Sequence, residues 1–193
     1  MTTLLNQNIS KHISLSEKEA EEFSALFRPQ TIPKKGYFWK EGDVCKFEGF
    51  VNKGLFKVYL IDEKGFEQIL SFPREDWWIG DIDSFINQSP SHYFIQAIEH
   101  SEILVISKED KERLYQNIPK VERLFRIMGQ KSLIALHRRM SENLRKTADR
   151  RYIDFIEKNT RLSQRLTNLQ IASFLGISHE FVSKIRRKIS LKK

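Results

Sequence analysis

The sequence predicts an α+β protein: a compact antiparallel β-region, then a long helix, then a helix-turn-helix near the C-terminal end. Three observations carry this. Between residues 30 and 107, aromatic and β-branched residues fall in short runs broken by glycines. From 119 to 140, apolar residues recur at helical spacing. From 167 to 189, small, apolar and turn residues stand where two crossing helices and a tight turn need them.

Ser16 and Glu19 form a capping-box pattern ahead of Ala20, Phe23, Ala25, Leu26 and Phe27, so a short helix is expected over about 16–27. Pro29 and Pro33 end the helical pattern. LFKVYLIDEKGFEQILSF reads as a hairpin turning on Asp62-Glu63-Lys64-Gly65, with Gly65 supplying a positive φ. YFIQAIE and EILVIS are two further strands, which together suggest an antiparallel barrel or sandwich. A short helix follows at 109–117, and Pro119 suits the first turn of a longer one.

That longer helix carries Val121, Leu124, Phe125, Ile127, Met128, Leu133, Ile134, Leu136 and Met140, a wide apolar circumference that needs two neighbours. The β-region supplies one. A second copy of the same helix across a dimer axis supplies the other, with Val121, Met128 and Ala135 seven apart and Lys131 and Arg138 interrupting the companion seam. Packing wholly within one subunit is the alternative. A further helix is expected at about 143–158 through Leu144, Ile153, Phe155 and Ile156.

In the last segment Ile171 and Leu175 lie one helical turn apart, and Ala172 is small where helices cross. Gly176 suits a left-handed turn residue, and Ser178 an N-cap. Val182, Ile185 and Ile189 form the inner face of the second helix. Its outer face carries His179, Glu180, Ser183, Lys184, Arg186 and Arg187, with Thr167 and Ser178 at the two helix starts. His179 and Lys184 can donate to guanine and Glu180 can accept from cytosine N4. Arg186, Arg187, Lys188, Lys192 and Lys193 are placed to neutralise phosphates, which gives affinity without sequence preference.

The charge agrees. Residues 143–193 hold 13 of the 33 basic and 4 of the 25 acidic residues, a balance of +9 that leaves residues 1–142 at −1. A neutral front with a basic tail is the footprint of a nucleic-acid binder. The single cysteine, Cys45, excludes an internal disulfide and a multi-cysteine zinc or iron–sulfur site. No apolar run approaches the ~18 residues that span a bilayer. The start lacks a basic n-region with an apolar core, so a cytoplasmic protein without a signal peptide or membrane partner is expected. His12, His92, His100 and His137 have no spacing that singles out a haem ligand, and no His-x-His pair is followed by Glu. No nucleophile–base pair is visible, so an enzyme is not expected.

Several motifs together carry a resemblance: Gly42 and Gly54 around a β-turn region, GFEQILSF, IGDIDSF and the helix-turn-helix, in this order. The chain resembles the cyclic-AMP-receptor / fumarate-nitrate-regulator (CRP/FNR) superfamily of bacterial transcription factors from about residue 12 to 190. The resemblance implies a cyclic-nucleotide-binding-like β-roll sensor over 1–118, a dimerisation helix over 119–142 and a helix-turn-helix domain over 143–193. It also implies a homodimer that binds an inverted repeat in double-stranded DNA and works with RNA polymerase.

The departures lie mostly in the ligand cassette, WWIGDIDSFINQSPSHYFIQA. Gly80 and Tyr93 bound its loop. The family's Arg-Ser pair, whose Arg grips a cyclic phosphate, is replaced by Ser91 and His92. Its ribose-binding Glu is Asp81, and a Thr-Ser pair that meets adenine aligns with His137 and Arg138. Losing a charge-assisted Arg contact costs roughly 1.5–3 kcal/mol, so cyclic AMP is not expected as effector; no cofactor is expected and the effector is unknown. The family's recognition arginines align with His179 and Lys184, and the C-terminal wing is expected to be absent, since the sequence stops at Lys193. The alternative is a ligand- or partner-binding β-domain whose basic tail holds nucleic acid without sequence choice.

Overall fold

The computed structural model describes residues 3–190, except the side chains of Arg186, Lys188, Ile189 and Ser190. Ile189 as an inner-face residue, the phosphate roles of Arg186, Lys188, Lys192 and Lys193, and the question of a wing therefore lie outside the described residues.

Two short helices open the chain, α1 (Thr3–Ser10) and α2 (Glu17–Ala25). Eight strands follow: β1 (Arg28–Ile32), β2 (Tyr37–Trp39), β3 (Phe47–Lys53), β4 (Phe56–Ile61), β5 (Glu67–Ser71), β6 (Trp78–Ile79), β7 (Phe94–Ala97) and β8 (Ser101–Ser107), with α3 (Ile82–Asn87) between β6 and β7. They form two four-stranded sheets, ordered β1-β8-β3-β6 and β2-β7-β4-β5. The recorded pairings between them are antiparallel, so the region is a β-roll. Then come α4 (Lys108–Asn117), α5 (Lys120–Arg145), α6 (Ala148–Lys158), α7 (Thr160–Ser163), α8 (Asn168–Leu175) and α9 (His179–Ser190).

Period-two alternation builds two cores from one strand. Ile103 and Val105 of β8 face inward with Ile32, Phe38, Val51, Phe56, Ile79 and Ile95. Leu104 and Ile106 face the other way, against α1, α2, α4 and the start of α5, where Leu5, Ile9, Phe23, Phe50, Leu114, Val121 and Leu124 are buried. The expected capping box at Ser16 and Glu19 is formed, and the β4–β5 hairpin turns at Gly65 with φ 81°. Gly54 is fixed by space as well as angle: its φ is 109° and a Cβ there would lie 2.1 Å from the Ser101 hydroxyl.

Helix α1 was not anticipated from the sequence. It is held by Asn8, whose amide donates to the carbonyl and the carboxylate of Asp76, and whose oxygen accepts from the Trp78 indole. The long helix runs on to Arg145, and the helix expected from about 143 begins instead at Ala148, behind the Thr147 cap. The expected heptad positions divide between buried and exposed. Val121 is fully buried and Met128 packs on the same core, so that face serves the chain's own β-roll. Among the exposed apolar residues of α5, Leu133, Leu136 and Met140 form a stripe at 54%, 61% and 60% exposure, and Ile134 and Leu144 are exposed as well.

By its contacts the chain divides into two compact units: residues up to Leu60 together with Leu70–Gln130, and Ile61–Ile69 together with Lys131 onward. In the second unit Tyr152, Phe155, Leu162, Ile171, Ala172, Leu175, Val182 and Ile185 are buried. Among the described residues, no helix is long and apolar enough to cross a membrane.

Candidate functional site

The cassette begins at Gly80, where a Cβ would make ordinary van der Waals contact, 3.4 Å, with the Glu48 side chain. Asp81 then caps α3, its carboxylate accepting from the amides of Asp83 and Ser84 at 3.1 and 3.3 Å. These are the amides that a helix start offers to an anion. The other carboxylate oxygen accepts from the Ser91 hydroxyl at 2.8 Å. Ser91 is 2% exposed, and its backbone joins Gly42 and Asp43 across the loop. Its hydroxyl also accepts from the Tyr93 amide. Behind them the Ser84 hydroxyl donates to the Ser89 carbonyl and accepts from the Cys45 amide. Burial pushes the Cys45 thiol above its usual pKa.

The structure therefore joins Gly80, Asp81, Ser91 and Tyr93 of the predicted pocket. His92, between them in sequence, is exposed. His137 and Arg138 are exposed on α5 in the second unit. The aromatic residues divide as well. Phe85 is buried, Trp78 packs edge-on against Phe27, Phe50 and Phe125, and Phe94 stacks on Tyr59 at 5.1 Å. Trp77 is 42% exposed beneath Arg74.

Two cations near the cassette escaped the sequence reading because they come from α4. Lys108 donates to the Ile86 carbonyl at 2.6 Å, in the last turn of α3. Lys111 pairs with Glu48 while its ammonium lies 5.3 Å from the Phe85 ring and 3.9 Å from the Phe125 ring. Their spacing of three on a helix was visible, but their targets are far away in sequence.

In the second unit the helix-turn-helix forms at the expected residues. Thr167 caps α8 in a capping box with Gln170. Gly176 adopts the left-handed conformation, φ 62°, and Ser178 accepts from the Phe181 amide at the start of α9. Thr167 and Ser178 thus have capping roles, and both are exposed. His179, Glu180, Ser183, Lys184 and Arg187 are also exposed, on the side opposite Val182 and Ile185. Glu180 is held below the usual carboxylate range, first by its own helix-start amide and then by the Ser178 hydroxyl. It therefore presents an ionised acceptor near the N-terminus of α9. The Ser183 hydroxyl donates to the His179 carbonyl.

The joint between α5 and α6 is built from charge. Lys146 bridges Glu142 at 2.9 Å and Asp154 at 2.7 Å, and Arg150 reaches Asp154 at 3.0 Å. Among the described residues, no group of three His, Cys, Asp or Glu side chains is placed to hold a metal ion.

Comparison with known proteins agrees with this geometry. Residues 29–118 match the cyclic nucleotide-binding domain model. An anaerobic regulatory protein of Pasteurella multocida is 29% identical over 187 residues, covering 89% of this chain and 67% of the relative. A fumarate and nitrate reduction regulatory protein of Vibrio cholerae is 28% identical, covering 89% and 73%. In fold, the chain is similar to the c-di-GMP-responsive global regulator CLP of Xanthomonas campestris, with TM-score 0.77, 16% identity and coverage of 92% and 93%. It is likewise similar to FixK2 of Bradyrhizobium japonicum, with TM-score 0.75, 17% identity and coverage of 86% and 85%. With the β-roll, the long helix and the helix-turn-helix in this order, the chain is similar to transcription regulators of the CRP/FNR family, and residues 29–118 match the cyclic nucleotide-binding domain.

Proposed function

We propose that the protein is a homodimeric, sequence-specific DNA-binding transcription regulator that does not respond to cyclic AMP. The observation that carries the reading is the pair α8–α9, turned at Gly176, with His179, Glu180, Ser183, Lys184 and Arg187 exposed on one side. A helix presented in this way fits the major groove with its first residues at base edges. In functional terms 1–118 acts as sensor or scaffold, 119–142 as the dimerisation helix and 143–193 as the DNA-binding segment. RNA polymerase is the partner on which such a regulator acts.

The dimer reading is supported by Leu133, Leu136 and Met140, whose 3–4 spacing makes a two-turn apolar seam with Gly129 one step earlier. A second copy of α5 covers such a stripe and sets two recognition helices ~34 Å apart. The ligand reading is supported by the cassette. Its helix-start amides are occupied by the Asp81 carboxylate, and Ser91 completes the enclosure. The chain supplies its own anion there, and a ligand phosphate would have to displace a buried carboxylate with no Arg to hold the newcomer.

The test is enrichment from a random-sequence duplex library in the presence of non-specific competitor DNA. The proposal expects an inverted repeat that survives competition. Loss of all retained DNA to competitor would instead support a β-domain with a non-specific basic tail.

A further inference from the structure

We infer that Arg139 and Arg151 are positioning residues that set the half-site spacing this regulator accepts. The inference rests on the dimeric regulator proposed above and goes beyond it. It concerns residues that touch neither the proposed seam nor the exposed face of α9.

Phe174 and Leu175 are the last two residues of α8. Their carbonyls belong to the set that a helix leaves without an intrahelical partner. Each is met by a guanidinium. Arg139 of α5 donates to the Phe174 carbonyl at 2.8 Å, and its guanidinium carbon lies 4.1 Å from the centre of the Phe174 ring. The same Nη2 lies 3.4 Å from the Ile69 carbonyl in the β4–β5 hairpin. Arg151 of α6 donates from one Nη1 to the Leu175 carbonyl at 2.7 Å and to the Asn143 side chain at 3.1 Å. Phe174 also packs against Phe155 of α6, ring centres 5.4 Å apart.

A third attachment lies one residue earlier. The Ser173 hydroxyl accepts from the Ile69 amide at 3.0 Å and donates to the Glu67 carbonyl at 2.6 Å. β5 is an edge strand in its sheet, which leaves one of its two sides open to side-chain partners of this kind. The end of α8 is therefore tied at three consecutive residues, 173, 174 and 175, to the hairpin, α5 and α6.

All of these residues lie in the second compact unit, together with Leu133, Leu136 and Met140. Gly176 follows at once and turns the chain into α9. The attachment thus fixes α8, and through it α9, relative to the face of α5 that carries the proposed dimer seam. In a two-fold dimer that relation is the distance between recognition helices. Cations at a helix C-terminus are favourable partners for its free carbonyls. A guanidinium can direct several N–H groups from a fixed plane, which a lysine ammonium cannot reproduce.

The experiment selects DNA from a random-sequence duplex library about three helical turns long, using wild type, Arg139→Met, Arg139→Lys and Arg151→Met in the full chain. Circular dichroism checks folding in each case. Wild type is expected to enrich one half-site word, inverted, at one spacing. Arg139→Met and Arg151→Met are expected to enrich the same word with spacings spread by a base pair or more. They are also expected to bind the wild-type-spaced site about 10-fold more weakly, the usual scale of one lost charge-assisted bond, with unchanged affinity for an isolated half-site. Arg139→Lys keeps the charge and is expected to follow Arg139→Met, and it decides the matter for that position if Arg139→Met does not fold. Variants that keep the single wild-type spacing, or change the half-site word instead, overturn the inference alone. Wild type that enriches no repeated word overturns the dimeric regulator reading and this inference with it.

Discussion

The hydroxyl of Ser91 donates to the carboxylate of Asp81 across 2.8 Å, inside a loop where Asp81 is 5% and Ser91 2% exposed. One bond thereby closes both ends of the cassette, since Asp81 begins α3 and Ser91 lies beyond its end. Removing the donor leaves a buried carboxylate one bond short. Ser91→Ala is expected to cost about 1–3 kcal/mol, read as a lower urea midpoint with unchanged slope. Asp81→Ala loses the cap as well as the bond, and the double variant should lose less than the sum of the two single losses because both remove the same interaction. Full additivity would mean the bond contributes nothing.

Cyclic AMP and cyclic GMP at micromolar concentrations are expected to leave the melting temperature unchanged. A ligand at a hundred times its Kd stabilises by about 2.7 kcal/mol, a shift easily seen by calorimetry. A clear rise with either nucleotide would show that the Asp81 carboxylate yields its place.

Leu136 is 61% exposed at the middle of the α5 stripe, so Leu136→Asp should leave the protomer folded while breaking the pair. Sedimentation equilibrium is expected to give a dimer for wild type and a monomer for the variant. A variant that remains dimeric would move the interface elsewhere.

The proposed DNA-binding face of α9 is expected to divide into two roles. Glu180→Ala and Lys184→Ala are expected to change which bases are preferred, since both are exposed in the first half of α9. Arg187→Ala is expected to weaken all DNA about equally and to lower the salt slope by about 1. Binding isotherms at several salt concentrations on matched and mismatched sites separate the two. Identical behaviour of all three variants would remove the distinction.

Local chemistry made much of this fold legible in the sequence. The Ser16–Glu19 box, the Gly65 turn and the Gly176 turn are each settled by a few adjacent residues, and each forms as expected. What stayed hidden depends on residues far apart in the chain. Helix α1 is held by Asn8 meeting Asp76 and Trp78 about seventy residues away. α5 is apolar on two faces, and only the β-roll's packing shows that Val121 and Leu124 are buried against the chain's own core. Nothing in the sequence singles out Arg139 and Arg151, because carbonyl partners leave no trace in a sequence. In the cassette the loss of Arg was plain from Ser91 and His92, whereas the internal carboxylate that fills the helix start emerged only from the geometry.

In the proposed regulator two copies of this chain read an inverted repeat together. The most direct measurement is the affinity for the enriched inverted repeat, compared at one salt concentration with a duplex carrying a single half-site and with random duplex. Binding to the repeat is expected to be on the order of a thousandfold or more above random DNA, with the single half-site far weaker than the pair. Equal affinity for all three duplexes would contradict it.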